Sequence, residues 1–330
     1  MLLILRLRDD YNPWFVIMPR CSVIIVTYNS SAPIEACLRA LAAQECEIVV
    51  VDNASQDDTV ARVKRLEGQI PLQLITISRN IGFAAGVNHG AAAAAGEVLL
   101  VLNPDAIAES GAINAMLDAM NRCDAEAVGG ALLDDNGQPQ RGFAFRRLPS
   151  LSTLLCEAVL VNQLWPGNPA NRRYRCLDAD LEREQEVEQP AGACLAVRRE
   201  VWDRLQGMDA GFFPVWFEDV DFCARLQESR AKTVYSPAAR FQHSGAHSVG
   251  QLAFRDKQLY WYRNTLRYAG KHLSSASVLI LRAGIVVGMS LRMVATLFGG
   301  GPKGVRTFEA VRAYAAAARV AMGLGDENSR

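Results

Sequence analysis

The chain of 330 residues carries no net charge, because 35 Lys and Arg balance 35 Asp and Glu. Sequence-independent nucleic-acid binding, which draws on a surplus of positive charge, is therefore not expected. No Cys-x-x-Cys pair occurs among the eight cysteines at positions 21, 37, 46, 123, 156, 176, 194 and 223. Their scatter through apolar segments fits reduced thiols in a cytoplasm rather than a disulfide framework. The glycines at 82, 86 and 90 do not form a G-x-G-x-x-G fingerprint and no Walker A sequence ending in Gly-Lys-Ser/Thr is present, which argues against a dinucleotide cofactor and against ATP hydrolysis. A cleavable leader is not expected, since Asp9 and Asp10 interrupt the early apolar run and no cleavage-like site follows. Residues 1–18 add little to the fold pattern, and Met18 is a plausible natural start. Long apolar runs are also scarce. The one candidate, Leu273 to Gly299, is divided by Arg282 and Arg292, leaving only Ala283 to Leu291 uninterrupted, whereas a spanning helix needs about twenty apolar residues. Flanked by Arg263, Arg267, Lys271, Lys303 and Arg306, it reads as helices lying on an anionic membrane surface. The same pattern also fits amphipathic helices packed on a catalytic domain, or a homodimer interface.

What is present is a series of short apolar strands that each stop at polar residues. Val98 to Leu102 is fully apolar, as in a parallel-sheet strand buried on both faces, and it ends at Asn103-Pro104-Asp105. Pro104 cannot continue a ladder, so Asn103 and Asp105 sit at the strand's tip. There a carboxylate is placed either to hold a hard divalent cation or to cap the following helix, whose pattern begins near Ser110. Upstream, Ser22 to Val26 ends in Thr27-Tyr28-Asn29-Ser30-Ser31, Glu47 to Val51 ends in Asp52-Asn53-Ala54-Ser55, and Leu72 to Ile77 is followed by Arg79 and Asn80. Helical patterns separate these strands, so the reading is right-handed βαβ units forming a mainly parallel sheet. The tips at Thr27, Asp52, Asn80 and Asp105 then converge on one edge, where ligands of such sheets bind. Asp52 can accept from a pyrimidine N3–H, while Asn80 and Asn88 offer donors and acceptors. Gly82, Gly86 and Gly90 recur every fourth residue, giving one flat helical face that a ligand or another backbone can approach closely.

In the second half, the aromatic-rich Gly211 to Phe217, with Trp216 near its end, leads into Glu218-Asp219-Val220-Asp221. Asp221 and Arg225 stand at i and i+4 and form a structural pair. Glu218 and Asp219 lie at the helix's positive end, where a carboxylate either stabilises the helix or, in a pocket, takes a proton from a hydroxyl. His243 follows a strand over Lys232 to Tyr235. His247, four residues on, leaves a zinc pair conceivable although no Glu-x-x-His pattern accompanies it. His89 and His272 read as structural. Gln189-Pro190-Ala191-Gly192-Ala193 offers small residues where backbone can approach a substrate, and one of Arg198 and Arg199 is a candidate to face phosphate. Asp134 to Glu188, arginine-rich and proline-punctuated, is either a lid over a ligand or an ordinary surface insertion, with Trp165 to Pro169 an ordered loop.

Taken together, Val-Ile-Ile-Val-Thr-Tyr-Asn-Ser, Val-Val-Val-Asp-Asn-Ala-Ser, Asn-Ile-Gly-Phe-Ala-Ala-Gly-Val-Asn-His-Gly and Leu-Asn-Pro-Asp resemble family 2 glycosyltransferases. They most resemble the rhamnosyltransferase branch, over roughly Cys21 to Gly250. The resemblance implies an α/β GT-A nucleotide-diphospho-sugar fold. In it, Asp105 would be the surviving carboxylate of an Asp-x-Asp metal motif whose first position is Asn103. His243 would complete a Mg²⁺ or Mn²⁺ site, and Asp219 would be the general base. Thr27, Tyr28, Asn29, Asp52, Asn80, Gly82, Gly86, Asn88 and Asn103 would then serve the nucleotide-sugar, and Gly192, Ala193, Trp216 and Glu218 the acceptor side.

The expected organisation is an N-terminal extension (1–18), a catalytic domain (19–250, divided into a nucleotide-sugar half at 19–130 and an acceptor half at 131–250) and a C-terminal helical region (251–330). The expected activity is inverting, metal-dependent transfer of L-rhamnose from dTDP-rhamnose to a hydroxyl of a cell-surface or lipid-linked glycan. It would take place in the cytoplasm or peripherally on the cytoplasmic face of the inner membrane. Alternatives are a UDP-sugar donor, a nucleotidyltransferase, for which a basic glycine-rich phosphate loop is missing, or a non-catalytic nucleotide-sugar-binding module.

Overall fold

The computed structural model describes residues 19–245, 250 and 252–324. The N-terminal extension with its Met18 start, and His247 with its proposed zinc pairing, lie outside the described residues. The first half alternates as expected through β4: β1 (Cys21–Thr27), α1 (Ile34–Leu41), β2 (Glu47–Asn53), α2 (Thr59–Glu67), β3 (Leu72–Ile77), α3 (Phe83–Ala93) and β4 (Val98–Leu102), followed by β5 (Ala106–Ala108), the expected helix as α4 (Ala112–Arg122), and β6 (Ala127–Leu133). Helix α1 buries Ile34, Cys37, Leu38 and Leu41, the i, i+3, i+4, i+7 stripe of an amphipathic helix on a sheet. Strand side chains alternate between faces. Val23, Ile25, Leu100 and Leu102 enter the core under α1, α2 and α4, while Ile24, Val26, Leu99 and Val101 enter the opposite core. Burial on both faces explains why these strands read as continuous apolar runs.

The second half continues through β7 (Phe145–Arg146), α5 (Leu151–Ala158), α6 (Val161–Leu164), α7 (Pro169–Tyr174), β8 (Gln185–Glu186), β9 (Gln189–Pro190), β10 (Cys194–Arg198), α8 (Arg199–Arg204), α9 (Glu218–Glu228) and β11 (Thr233–His243). The main sheet runs β3-β2-β1-β4-β10-β6-β11-β5, with β8 alongside β11 and a separate β7–β9 pair. Four of its strands, β5, β6, β8 and β10, were not anticipated. β10 inserts antiparallel between β4 and β6, so its first residue faces the end of β4, with Cys194 opposite Leu102. β5, following Asp105 directly, pairs antiparallel with the end of β11, with Ala106 opposite His243. That strand extends well past the expected Tyr235 and carries His243 as its last residue.

Three helices follow: α10 (Phe254–His272), α11 (Ser275–Leu297) and α12 (Thr307–Ala321). They share a core with α5 and α9 through Leu154, Phe217, Tyr262, Leu281, Ile285 and Tyr314. The expected interruption at two arginines is corrected here, because α11 is one continuous helix of 23 residues, mean hydropathy 1.9 over its most apolar stretch, long and apolar enough to cross a membrane. Its arginines find carbonyls instead of solvent. Arg292 is buried and donates to Ala158 O (2.5 Å) and Glu157 O (3.1 Å), and Arg282 donates to Ala321 O (2.8 Å). Three of the flanking cations are also committed internally, Arg267 and Lys271 to Asp209 and Arg263 to Phe213 O. The outer side of α11 keeps Leu279, Ile280, Val287, Leu291, Val294 and Leu297 exposed, next to Phe298 and Phe308.

Candidate active site

The sheet's topology assembles one polar edge. β1, β2, β3 and β4 all end there, and the reversed β10 begins there, so Ala193 O accepts the Asn103 N–H at 3.0 Å. Along the neighbouring tips Thr27 Oγ1 donates to Asp52 Oδ1 (2.9 Å), and Asp52 Oδ2 accepts the Ser55 N–H (3.0 Å). The Asn29 N–H donates to Ser55 Oγ, its Oδ1 accepts the Gln56 N–H, and the Tyr28 N–H reaches Ser30 Oγ. Asn80 Oδ1 accepts from Asn53 Nδ2 (3.0 Å) and from the Gly82 N–H (2.9 Å). This row is largely buried and pre-formed, and Val26 and Phe83 connect it to the cleft beside it.

Five sequence candidates, Gly86, Asn88, Gly90, Arg198 and Arg199, face elsewhere. Asn88 exchanges two hydrogen bonds with the backbone of Met208, so its amide is used in pinning α3 to the following layer. A Cβ on Gly86 would stand 2.8 Å from Val26 Cγ1, and one on Gly90 2.5 Å from Ile24 Cγ2, so these glycines let α3 lie against β1 rather than admit a ligand. Gly82 has φ +87° and abuts Phe213 and Pro214 in the loop before α9. Arg198 and Arg199 do not face the edge either; Arg198 donates to Ala125 O, and Arg199 donates to Gly96 O and Ala94 O.

The cleft, of about 430 Å³, is lined by Asn103, Asp105 and His243 together with Gly192, Ala193, Trp216, Glu218 and Asp219. The β5–β11 pairing brings Asp105 Oδ1 to 3.5 Å from His243 Nε2, both side chains buried. The Asn103 amide reaches the same nitrogen at 3.4 Å, and His243 Nδ1 lies 3.4 Å from Gln140 Oε1. Burial lowers the His243 pKa, opposed by the Asp105 charge, which favours a neutral imidazole with a lone pair to give. Gln140 accepting from Nδ1–H leaves that pair on Nε2. Among the described residues no cluster of three or more His, Cys, Asp or Glu exists. Two protein ligands suit an octahedral cation that keeps waters and bridges to phosphate, and do not suit a closed zinc site.

In the same cleft, Asp219 Oδ2 accepts the Gly192 N–H (3.0 Å) and lies 3.5 Å from Gln189 Nε2. With Oδ1 also accepting the Val220 N–H (2.9 Å), these donors hold the carboxylate in place at the cleft wall. Glu218 is 5 % exposed, and its Oε2 has no hydrogen-bond partner. Burial and the adjacent Asp219 push its carboxyl well above the usual carboxylate range. The approach to the helix is constrained, with Trp216 and Phe217 both left-handed at φ 78° and 71°. Asn264 Nδ2 donates to Val215 O and Trp216 O, and Trp261 packs edge-on to Trp216 and Phe217. Such backbone strain collects where a surrounding structure overdetermines a functional loop.

Sequence reasoning missed Gln140, Phe143, Arg146, Gln189 and Trp261, which also bound or support the cleft. Phe143 stacks on His243 with centroids 5.5 Å apart. Only Gln189 had a signal, standing two residues before the Ala191-Gly192-Ala193 turn. Asp221 and Arg225 form the expected pair at 2.9 Å, and His272 serves structurally, bonding Asp221 and Glu228. The stretch 134–188 forms packed helical turns, with the buried Asn168 capping α7 within the expected ordered loop. All eight cysteines are free thiols.

Comparison with known proteins gives this arrangement its family. The profile of Glycosyl transferase family 2 matches residues 22–204. The N-acetylglucosaminyl-diphospho-decaprenol L-rhamnosyltransferase of Mycobacterium tuberculosis is 32 % identical over 304 residues, covering 82 % of this chain and 94 % of that protein. A β-1,3-glucosyltransferase of Campylobacter jejuni acting on GalNAc(5)-diNAcBac-PP-undecaprenol is 28 % identical over 136 residues, covering 40 % of this chain and 44 % of that one. Among solved structures, the mannosyltransferase PcManGT of Pyrobaculum calidifontis, in complex with GDP-Man and Mn²⁺, superposes with TM-score 0.53 at 18 % identity, covering 92 % of this chain and 87 % of that one. The fold is thus GT-A-like, and the chain belongs to glycosyl transferase family 2 as a glycosyltransferase similar to the rhamnosyltransferases.

Proposed function

We propose that this glycosyltransferase moves L-rhamnose from dTDP-rhamnose to a hydroxyl of a lipid-linked, diphosphate-bearing glycan, with inversion at the sugar carbon. The observation that carries this reading is that Asp105, His243 and Asp219 line one cleft, while the relative similar over most of the chain acts on a diphospho-decaprenol acceptor. The row at Thr27, Asn29, Asp52 and Asn80 would hold the nucleotide at the strand tips. Asp105 and His243 would hold Mg²⁺ or Mn²⁺, which when bound neutralises charge on the departing diphosphate. Asp219, fixed by Gly192, accepts the proton of the acceptor hydroxyl on its carboxylate. A single base and direct displacement need no covalent intermediate, hence inversion. Trp216 and Trp261 shield the cleft and offer apolar faces to the acceptor sugar.

The acceptor's lipid would place the enzyme at the cytoplasmic face of a membrane. The exposed apolar side of α11, with Phe298 and Phe308 and the neighbouring exposed cations Lys303 and Arg306, is the surface proposed to rest on anionic lipid. The test of the catalytic assignment is Asp219→Asn assayed for nucleoside-diphosphate release with a panel of nucleotide sugars. Turnover should fall by about 10²–10⁴-fold, the contribution of a general base, with donor affinity retained. Comparable turnover would remove Asp219 from the role of base, and release from a different donor would reassign the sugar.

A further inference from the structure

Beside the reaction cleft lies a second, larger cavity of about 640 Å³, formed between α7 and the β7–β9 region. Arg146 lines both. We propose that this second cavity seats the diphosphate of the acceptor, with Arg146 at the junction as its anchor. The inference rests on the reading of a lipid-linked acceptor given above and deepens it.

Four arginines line this cavity, at 146, 147, 172 and 173. Two are already neutralised, Arg147 by Glu188 at 3.3 Å and Arg172 by Asp178. Glu188 is further occupied by the Leu148 N–H at 2.8 Å, so it does not compete for the remaining cations. Arg146 and Arg173 are left without a carboxylate partner among the described residues, and Glu186, the remaining acid in the cavity lining, is exposed. Arg146 is also held in place. Its guanidinium carbon lies 5.3 Å from the Phe143 ring centroid and 5.8 Å from that of Tyr174, and its Nε donates to Gly142 O at 3.0 Å. That bond uses the inner nitrogen and leaves both terminal nitrogens free. A planar guanidinium fixed between two aromatic rings, with its fork unoccupied, is prepared for bidentate contact with phosphate oxygens.

The location matches the chemistry. Phe143, which stacks on His243, also carries Arg146, so the anchor stands next to the cleft in which the acceptor sugar reacts. The donor's diphosphate would belong with Asp105 and His243, the latter stacked on Phe143. Beyond Arg146 the cavity walls include Phe145, Pro169 and Val187, apolar surfaces suited to the first carbons of a prenyl chain. Helix α7 packs on α5 and α5 on α11, whose outer face is the apolar ridge. Sugar, diphosphate and lipid would thus meet reaction cleft, arginine cavity and ridge in that order.

The experiment uses the full chain and the variants Arg146→Ala, Arg146→Lys and Arg173→Ala. Transfer is compared between a short-prenyl diphospho-GlcNAc acceptor and a phosphate-free alkyl GlcNAc glycoside. The preference for the diphosphate acceptor, as a ratio of kcat/KM values, should fall about tenfold or more in Arg146→Ala and Arg173→Ala. Arg146→Lys, which keeps the charge but not the fork, should recover only part of it. Equal losses on both acceptors, or none, would overturn the assignment. A second arm needs no turnover, so it separates this proposal from the functional reading. Inorganic pyrophosphate is titrated into wild type by calorimetry in EDTA, which keeps the Asp105–His243 pair from contributing through a cation. Binding that is lost in Arg146→Ala supports the site, and binding that is absent in wild type or unchanged in the variant refutes it.

Discussion

Replacing Gly192 by Ala tests the geometry of the cleft more sharply than removing a functional group does. A Cβ at this position would stand 2.7 Å from Asp219 Cβ and 3.0 Å from Asp219 Oδ2. Carbon atoms in contact prefer about 3.5–4.0 Å, so Asp219 or the Gly192 turn must shift by roughly 1 Å. The added methyl therefore moves the carboxylate while leaving its chemistry intact. A misplacement of about 1 Å is worth about 10²-fold in rate, or about 2.7 kcal/mol of barrier. Stability should change less, by about 1–3 kcal/mol for overpacking, since the clash is at the cleft wall. The assay is continuous detection of released nucleoside diphosphate, with donor affinity measured separately by calorimetry and folding by thermal melting. The expected outcome is a large fall in kcat with donor affinity near that of wild type. Full turnover in a Gly192→Ala protein that melts normally would show that Asp219 need not sit where the Gly192 N–H holds it, and the general-base reasoning would fail.

Glu218→Gln should stabilise the protein at neutral pH. The folded carboxyl is held neutral above the unfolded value of 4.5, so the wild type is fully stable on this account below pH 4.5 and loses stability as pH rises toward the folded pKa. The gap in melting temperature between variant and wild type should then shrink on acidification toward pH 4, and a pH-independent gap contradicts the buried-neutral assignment. Asp105→Ala and His243→Ala should each weaken Mn²⁺ binding, followed by electron paramagnetic resonance in the presence of nucleoside diphosphate, and EDTA should abolish wild-type turnover; activity indifferent to EDTA removes the metal from the scheme. Arg292→Leu leaves the carbonyls of Glu157 and Ala158 without their donor, which should lower unfolding stability by about 1–3 kcal/mol. An unchanged urea midpoint would mean that those carbonyls are served by solvent.

The parallel half of the sheet was readable because burial on both faces writes itself into sequence as unbroken apolar runs, each ending at polar tips. Asp105, Asp219 and His243 were readable through motifs, and they do line one cleft. What joins them was not. β5 has three residues, too short for any period to announce it, and β10, though as long as β4, was read only as a run of small residues; the partners of both are set by topology rather than by neighbouring residues. The arginines of α11 misled for a related reason. Sequence reading assigns a cation to water or headgroups, whereas here the carbonyls at the ends of α5 and α12 lie close enough to satisfy the guanidinium groups. Asn88 and Gly86 belong to a family-like motif, yet their side-chain surroundings are a loop backbone and a valine. Arg146 had no motif at all, because its place beside the cleft depends on a two-stranded pairing with β9.

The pairing of β5 with the last residues of β11 has a thermodynamic corollary. An ion coordinated by both Asp105 and His243 would act as a rivet between early and late parts of the polypeptide, across a ladder of only three residue pairs. Occupancy and local unfolding of that ladder would be linked equilibria, so amide protons in Ala106–Ala108 should exchange more slowly with Mn²⁺ and nucleotide present than without them.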